Sequence, residues 1–352
     1  MLRQIARLGH VVPSISSKAI AVAVYASAND DTVVAREAGF EGVACVDDAA
    51  RALELYCELW RATKLPWALA WCEGLLDFVL AMQDDDGRWV NFIRDWGGTP
   101  NRVGRTSVAG GEFWQARAML SLATASRALD DARIDRAFRD GLAHLVDNVA
   151  PSDVRSLHIL AALSMSRDGR YPELRSVLSS WCDELAACRH GEMLMNSTME
   201  VGEPHLWAHF QESALADASV FLDRPELLDV ARRSAEAVFV PIIRSGFDRP
   251  LTSPFDVATS YDVMIRLAAS SGETAYLDLA GEAREWFNGR NPSGQPVYDR
   301  EKGRVADGID GGRLNTHSGA ESNIVGAQTL FSEVKMSAGR YALAEVNPPG
   351  WT

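Results

Sequence analysis

The sequence predicts an all-α fold built from six consecutive helical hairpins. Three observations carry this reading. Apolar residues recur with a helical period over most of the 352 residues. The connections alternate in length: those out of the odd helices are mostly long and rich in Gly, Asp, Asn, Arg and Trp, whereas those out of the even helices are short. The two sets also differ in pattern. Odd helices carry one apolar stripe, and even helices such as EFWQARAMLSLATA are apolar nearly all round. Even helices are therefore expected inside and odd helices outside. Repetition of one hairpin at about 50–60 residues favours a closed or stacked array over a four-helix bundle. The expected architecture is an (α/α)6 barrel, as a single domain over residues 1–352 with a core of about 17–336. If the helices run up and down, every long loop emerges at one face, which becomes the expected functional face.

Taken in order, helix 1 is expected within Ser17–Ala28 and helix 2 over Asp47–Ala62, ended by Lys64-Leu65-Pro66. Helix 3 covers Trp67–Gln83. The polar stretch Asp84–Gly110 follows, and in it GRWVNFI (Gly87–Ile93) has strand character and is expected to form a short β-hairpin. Helix 4 covers Gly111–Leu129 and helix 5 Ala132–Asn148. Helix 5 has its stripe at Ile134, Phe138, Leu142, Leu145 and Val149. Helix 6 covers Asp153–Ser166, helix 7 Pro172–Cys188 and helix 8 Glu203–Leu222. Helix 9 runs from Pro225 to about Ile243, helix 10 over Phe255–Ser270 and helix 11 over Glu273–Phe287. The longest loop, Asn288–Ser318, precedes helix 12, Gly319–Val334, and the tail after Met336 shows no period.

Composition narrows the function classes. Apolar residues at 47% suffice for a large core, and the formal net charge is −13. An acidic chain without a Lys/Arg run is a poor partner for nucleic acid or an anionic membrane surface. The five cysteines include no CxxC pair, so neither a disulfide framework nor a zinc site is expected and a reducing, cytoplasmic setting is the simpler reading. No apolar run is long enough to span a bilayer. Ala19–Ala28 resembles the apolar part of a signal peptide, but its flanking basic residues are spread and Pro13 intervenes, so a leader is not the favoured reading. No GxGxxG, Walker or GxSxG motif appears, no cofactor is expected, and Asp84-Asp85-Asp86-Gly87 reads as a turn.

Three clusters on the expected face could carry chemistry. Asp47 and Asp48 open an inner helix, and glycosidic hydrolysis uses a pair of carboxyl groups. The structural alternative is that they cap the helix and pair with Arg51 at i+4 and i+3. The long loop holds Asp299, Asp307, Asp310, Asn315 and His317 and ends at Glu321. Glu321 is the strongest candidate there, although Ser318-Gly-Ala-Glu321 also fits a capping box. The third cluster is His205 and His209, four residues apart and so expected on one helix face. That spacing could bind a metal, but no third ligand is suggested and HExxH is absent, so no metal is expected. They are read as sugar contacts or as hydrogen-bonded interior histidines. Trp89, Trp96, Trp114 and Trp207 lie near the expected face and suit sugar stacking or core packing.

At Asp47-Asp48-Ala49-Ala50-Arg51-Ala52-Leu53, and again at Tyr298-Asp299, Gly303, Asp307-Gly308, Asn315 and Ser318-Gly319-Ala320-Glu321-Ser322, the chain resembles a bacterial group. That group is the (α/α)6-barrel domain often found C-terminal to family 4 glycosyltransferases, within the six-hairpin glycosidase-like fold. Gln83, Gly87, Asn91 and Phe92 fit its pattern, and the resemblance runs from about Ala26 to Val334. Barrel closure is what the resemblance implies. The chain departs from the pattern at Ala49, where the group has Asn, and it carries no glycosyltransferase segment, which favours an enzyme in its own right.

The expected function is a glycoside hydrolase acting on an oligosaccharide or polysaccharide, with Asp48 (or Asp47) as base and Glu321 as acid. Trp114, His205, His209, Asp310, Asn315 and His317 are the expected substrate contacts. A sugar epimerase of the N-acylglucosamine 2-epimerase type, using the histidines for proton transfer, and a non-catalytic glycan-binding barrel are the alternatives.

Overall fold

The structure is a computed structural model that describes residues 1–29, 38–146, 149–167 and 169–350. In chain order the first elements are α1 (Leu2–Leu8), β1 (Gly9–Val11), β2 (Ile20–Val22), β3 (Ala44–Cys45), α2 (Val46–Thr63), α3 (Pro66–Ala81), β4 (Phe92–Ile93), α4 (Glu112–Ala125) and α5 (Ala132–Val146). Then come α6 (Ser152–Ser166), α7 (Leu174–Ala187), β5 (Arg189–His190), β6 (Met193–Leu194), α8 (Gln211–Leu222), α9 (Pro225–Arg244), β7 (Leu251–Thr252), α10 (Pro254–Ser271) and α11 (Ala275–Arg284). The long loop forms β8 (Tyr298–Asp299), β9 (Arg304–Val305), β10 (Gly308–Asp310) and β11 (Arg313–Asn315), and α12 (Ala320–Thr329), α13 (Phe331–Ala338) and α14 (Leu343–Val346) close the chain. Among the described residues no helix is long and apolar enough to cross a membrane.

The chain divides into two compact units. The first comprises Met1–Asn148, Tyr298–Asp307 and Thr316–Thr352. Here α2 packs against α3, α4 and α12, and α4 packs against α5. The sequence patterns explain these layers. α4 is buried on nearly every side, from Trp114 to Ala125, whereas α5 buries Ile134, Phe138 and Leu145 and leaves its charged face outside. The α2–α3 turn follows its residues: Lys64 adopts the left-handed conformation at φ 55°, its N–H caps Trp60 O, and Pro66 opens α3.

The second unit comprises Val149–Val297 and Gly308–Asn315. Its helices α6, α8 and α10 pack in that order, with α7, α9 and α11 against them. α6 and α8 are again buried nearly all round. α10 begins with a capping box between Ser253 and Asp256, has Pro254 in its first turn, and stops at Gly272 with φ 77°. Strands β11, β10 and β7 form a small antiparallel sheet in this unit.

Three sequence expectations require correction. Ser17–Ala28 is not helical: Ile20–Val22 pairs antiparallel with Gly9–Val11, and Ile20, Val22 and Val24 alternate as strand residues do. The first helix is α1, where Leu2, Gln4, Ile5 and Leu8 are buried. The strand character of GRWVNFI is present: residues 92–94 fold back on 99–101, with Arg94 N–H donating to Thr99 O and Asn101 N–H to Phe92 O, both at 2.8 Å, and β4 also pairs with β3, the chain just before α2. Helix 8 starts at Gln211 instead of Glu203, because Ala208 takes φ 58° and interrupts the helical run. The twelfth helix splits at Leu330 into α12 and α13, and the tail contains α14, whose Val346 carbonyl accepts the Trp71 indole N–H at 2.8 Å. The expected Asn148 end of helix 5 lies outside the described residues.

The β3–β4 contact is tight. A Cβ on Gly42 would overlap the Ile93 carbonyl oxygen. Gly42→Ala should therefore cost about 1–3 kcal/mol, measured as a lower urea midpoint. Gly281, exposed inside α11 with nothing near a built Cβ, should behave oppositely: Gly281→Ala should stabilise by about 0.4–1 kcal/mol in the same assay.

Candidate active site

The start of α2 is fixed from the backbone outward. Val46 N–H donates to Asn91 O at 2.8 Å, and Asp47 N–H donates to Asn91 Oδ1 at 3.1 Å. Asp48 N–H donates to Cys45 Sγ at 3.4 Å, so a thiol serves as the N-cap. Burial, reinforced by Asp48 and Asp47, pushes the Cys45 thiol well up. It keeps its proton and directs it at Asp48 Oδ2, 3.5 Å away.

Arg51, whose side chain is only 6% exposed, joins three carboxyl groups. Its Nη1 donates to Asp48 Oδ1 at 2.8 Å, and its Nη2 lies 3.0 Å from Glu321 Oε2 and 3.5 Å from Asp47 Oδ1. Arg117 reaches in from α4 and places Nε 2.8 Å from Asp47 Oδ1. The capping reading of the acidic pair is not met, because Cys45 is the N-cap, whereas the ion-pair reading is met: Arg51 binds Asp47 and Asp48. The capping-box reading of Glu321 is not met either: Gly319 is the N-cap without a side-chain cap. Ser318 Oγ instead donates to Val305 O at 2.8 Å and accepts from Asn323 Nδ2 at 2.9 Å. Glu321 is left to meet Arg51.

The carboxyl groups differ in exposure and proton affinity. Asp48 is 8% exposed, and burial, opposed by Arg51 and reinforced by Glu321 and Asp47, pushes it from 3.8 to about 7. Glu321 is also pushed up, by burial and then by Asp47 and Asp307 against the pull of Arg51 and Arg117. Its side chain is 43% exposed, so solvent screens that shift. Burial works against the charge on Arg51, yet Asp47, Glu321 and Asp48 together outweigh it and hold Arg51 above its ordinary value. Arg117 moves the other way, to about 10, through burial and the neighbouring Arg51.

A second frame holds the start of α12. Ser318 N–H and Ala320 N–H donate to Ala26 O and Val24 O, so residues 318–320 run along residues 24–26. Gly319 lies in this seam. A Cβ there would stand 2.7 Å from Val24 O, so any side chain would push away the segment that carries Glu321. Gly319 N–H also donates to Asp307 Oδ1 at 2.8 Å. Beside it, Tyr25 OH and His317 Nδ1 are 2.8 Å apart, with the rings edge to face.

The remaining candidates are placed as follows. Trp114 is 9% exposed, and its indole N–H is shared by Trp89 O and Val108 O, which makes it a packing residue in this structure. Asp310 and Asn315 are exposed on β10 and β11 in the second unit. His205 and His209 precede α8 and share no helix face. His209 is fully buried between Asn196 Oδ1 (2.6 Å) and the Glu212 carboxylate (3.1 Å). His205 stays partly exposed, with Nε2 3.5 Å from Asp153 Oδ2. Sequence reasoning missed Arg117, Tyr25 and Asn91 as site residues, whereas Asp307 was among the long-loop candidates. Arg117 did leave a signal, being a charge past the first turn of a helix that is otherwise largely apolar there. Among the described residues no group of three or more His, Cys, Asp or Glu is disposed to hold a metal ion.

No family model and no curated protein matches the chain. Solved structures do. A sugar epimerase from a ruminal bacterium is 12% identical, with a TM-score of 0.66 over 90% of this chain and 92% of its own. A D-mannose isomerase is 9% identical, with a TM-score of 0.68 over 95% of both chains. A glycoside hydrolase family 9 endoglucanase, J30, is 13% identical, with a TM-score of 0.58 over 94% of this chain and 83% of its own. The likeness shows the fold: a predominantly helical chain of the (α/α)6-barrel type.

The position of Asp48 has a consequence for stability. The folded state holds its proton more tightly than the unfolded chain does, so its favourable contribution is complete below about pH 4 and is lost as pH rises through about 7. Asp48→Asn removes that titration. Relative to the parent, the variant should gain stability between pH 4.5 and pH 8, by up to about 4 kcal/mol. Urea midpoints with the same pH slope in both proteins would rule this out.

Proposed function

We propose that this chain is a carbohydrate-active enzyme that cleaves glycosidic bonds, with Glu321 as general acid and Asp47 as its carboxylate partner. One observation carries the reading: both side chains meet a single nitrogen, Arg51 Nη2, at 3.0 and 3.5 Å, while remaining 43% and 22% exposed. Asp48, which the sequence favoured as base, is buried with its oxygens directed at Arg51 and Cys45, so the role passes to Asp47. Two oxygens that share one nitrogen at these distances lie within roughly 6.5 Å of each other, at or below the short edge of the inverting range. That spacing favours direct attack by Asp47 on the anomeric carbon as Glu321 protonates the departing oxygen. Water then releases the sugar, with Glu321 now taking its proton, and the configuration is retained.

A sugar epimerase is the second reading. It is favoured by the hydrogen-bonded Tyr25–His317 pair on the segment leading to Glu321, and by a fold shared with a sugar epimerase and a mannose isomerase. Proton NMR of the protein with cellobiose and longer oligosaccharides in D2O separates the two. Hydrolysis releases new reducing ends, whereas epimerisation exchanges the C2 proton and creates the other C2 epimer.

Glu321→Gln should lower kcat by at least about 10²-fold while leaving the circular dichroism spectrum and urea midpoint near the parent's. A variant as active as the parent would overturn the role assigned to Glu321. If His317→Ala abolishes C2 exchange while no new reducing ends form with the parent, the epimerase reading replaces the hydrolytic one.

A further inference from the structure

The loop before α8 carries a feature that the carboxyl cluster does not use. Exposure alternates along it: Leu206 and Ala208 are fully buried, whereas His205 is 30% exposed and Trp207 42% exposed. The two outward rings therefore share one side of the strand-like run, as i and i+2 residues do. They stack face to face, with centroids 4.0 Å apart and planes within 8°.

This pair is held rigidly. His205 Nδ1 donates to Trp207 O at 2.9 Å, and its Nε2 faces Asp153 Oδ2 at 3.5 Å, so both ring nitrogens meet acceptors. The His205 carbonyl accepts from Asn196 Nδ2 at 3.0 Å, and Asn196 is itself fixed by Glu200 through its N–H at 2.8 Å. The Trp207 N–H donates to the Asp256 carboxylate in the α10 capping box. Ala208 at φ 58° then turns the chain inward. These contacts fix the Trp207 main chain and the His205 ring, so the indole stacks on an anchored support.

We propose that Trp207, backed by His205, is a stacking platform for an uncharged pyranose ring of an oligosaccharide. A fixed indole plane suits the C–H-bearing face of a pyranose, and fixing it beforehand removes the ordering cost of binding. The chemistry around it selects against acidic sugars. Asp153, Glu200 and Asp256 are carboxylates holding the loop, and the chain as a whole carries a formal charge of −13.

The test uses full-length protein carrying Glu321→Gln, so that turnover does not consume the probe and failure of the hydrolytic reading leaves this measurement intact. Cellopentaose binding is read by saturation-transfer NMR and calorimetry, with pentagalacturonate as the acidic comparison. Trp207→Ala should raise Kd for cellopentaose at least tenfold, Trp207→Tyr should largely restore it, and His205→Ala should fall between them. Pentagalacturonate should bind at least tenfold more weakly than cellopentaose. Equal cellopentaose affinity in Trp207→Ala, no binding by the unsubstituted loop at 10 mM probe, or tighter binding of the acidic sugar would each overturn the proposal. Unchanged circular dichroism in Trp207→Ala separates loss of the platform from loss of the fold.

Discussion

The guanidinium of Arg51 organises the candidate site. It stands almost fully buried at the first turns of α2, and three carboxyl groups from two helices converge on it. In such a place, removing the guanidinium would leave buried carboxyl charge without compensation, at a cost of about 3–5 kcal/mol. The positions of Asp48 and Asp47 are thus tied to the position of Arg51, and that of Glu321 follows through the same nitrogens. Arg117 extends the group into α4, so three helices of the first unit share one electrostatic centre.

The helices alone would not hold these groups in register. Two short backbone seams do. One is β3–β4 with the Asn91 contacts, which fix where α2 begins. The other runs residues 318–320 along residues 24–26 and fixes where α12 begins. Both seams demand a residue without a side chain at the crossing, Gly42 in one and Gly319 in the other. The sequence spends little secondary structure on these strands, yet they decide which way the acidic side chains point. This division is common where function sits on connections and stability on packed elements.

What could be read from the sequence follows from the range of the interactions involved. The inner and outer helices were legible because burial acts on every residue of a helix, so the pattern of α4 against α5 repeats over several turns. Caps were legible where the signal is local, as at Lys64 to Pro66 and Ser253 to Asp256. The partner of β4 was not, because Cys45 and Phe92 meet only through the fold. Nor was the fate of Glu321. Ser318 and Glu321 have the spacing of a capping box, but Ser318 is claimed by Val305 and Asn323, contacts that no local rule contains. The histidines were misplaced for a third reason. The i, i+4 argument presumes a helix, and a single left-handed residue, Ala208, removes it.

The charge balance of the cluster explains why the exposed and buried acids separate in role. Asp47, Asp48 and Glu321 face two guanidinium groups, Arg51 and Arg117. With all three carboxyl groups ionised, the centre would hold one unmatched negative charge where water is largely excluded. Burial raises the proton affinity of Asp48, to about 7, and of Glu321; a proton on Asp48, the least exposed of the three, removes that charge, and a second on Glu321 is the one a general acid delivers. The Cys45 thiol, which also keeps its proton, donates to Asp48 Oδ2 on the side away from Arg51's contact with Oδ1. The neutral Asp48 then weakens its claim on Arg51 and leaves the guanidinium more fully to Asp47 and Glu321. The acidic doublet at the start of α2 therefore divides its work: one carboxyl group sets the charge of the centre from inside, and its neighbour in sequence faces outward beside Glu321.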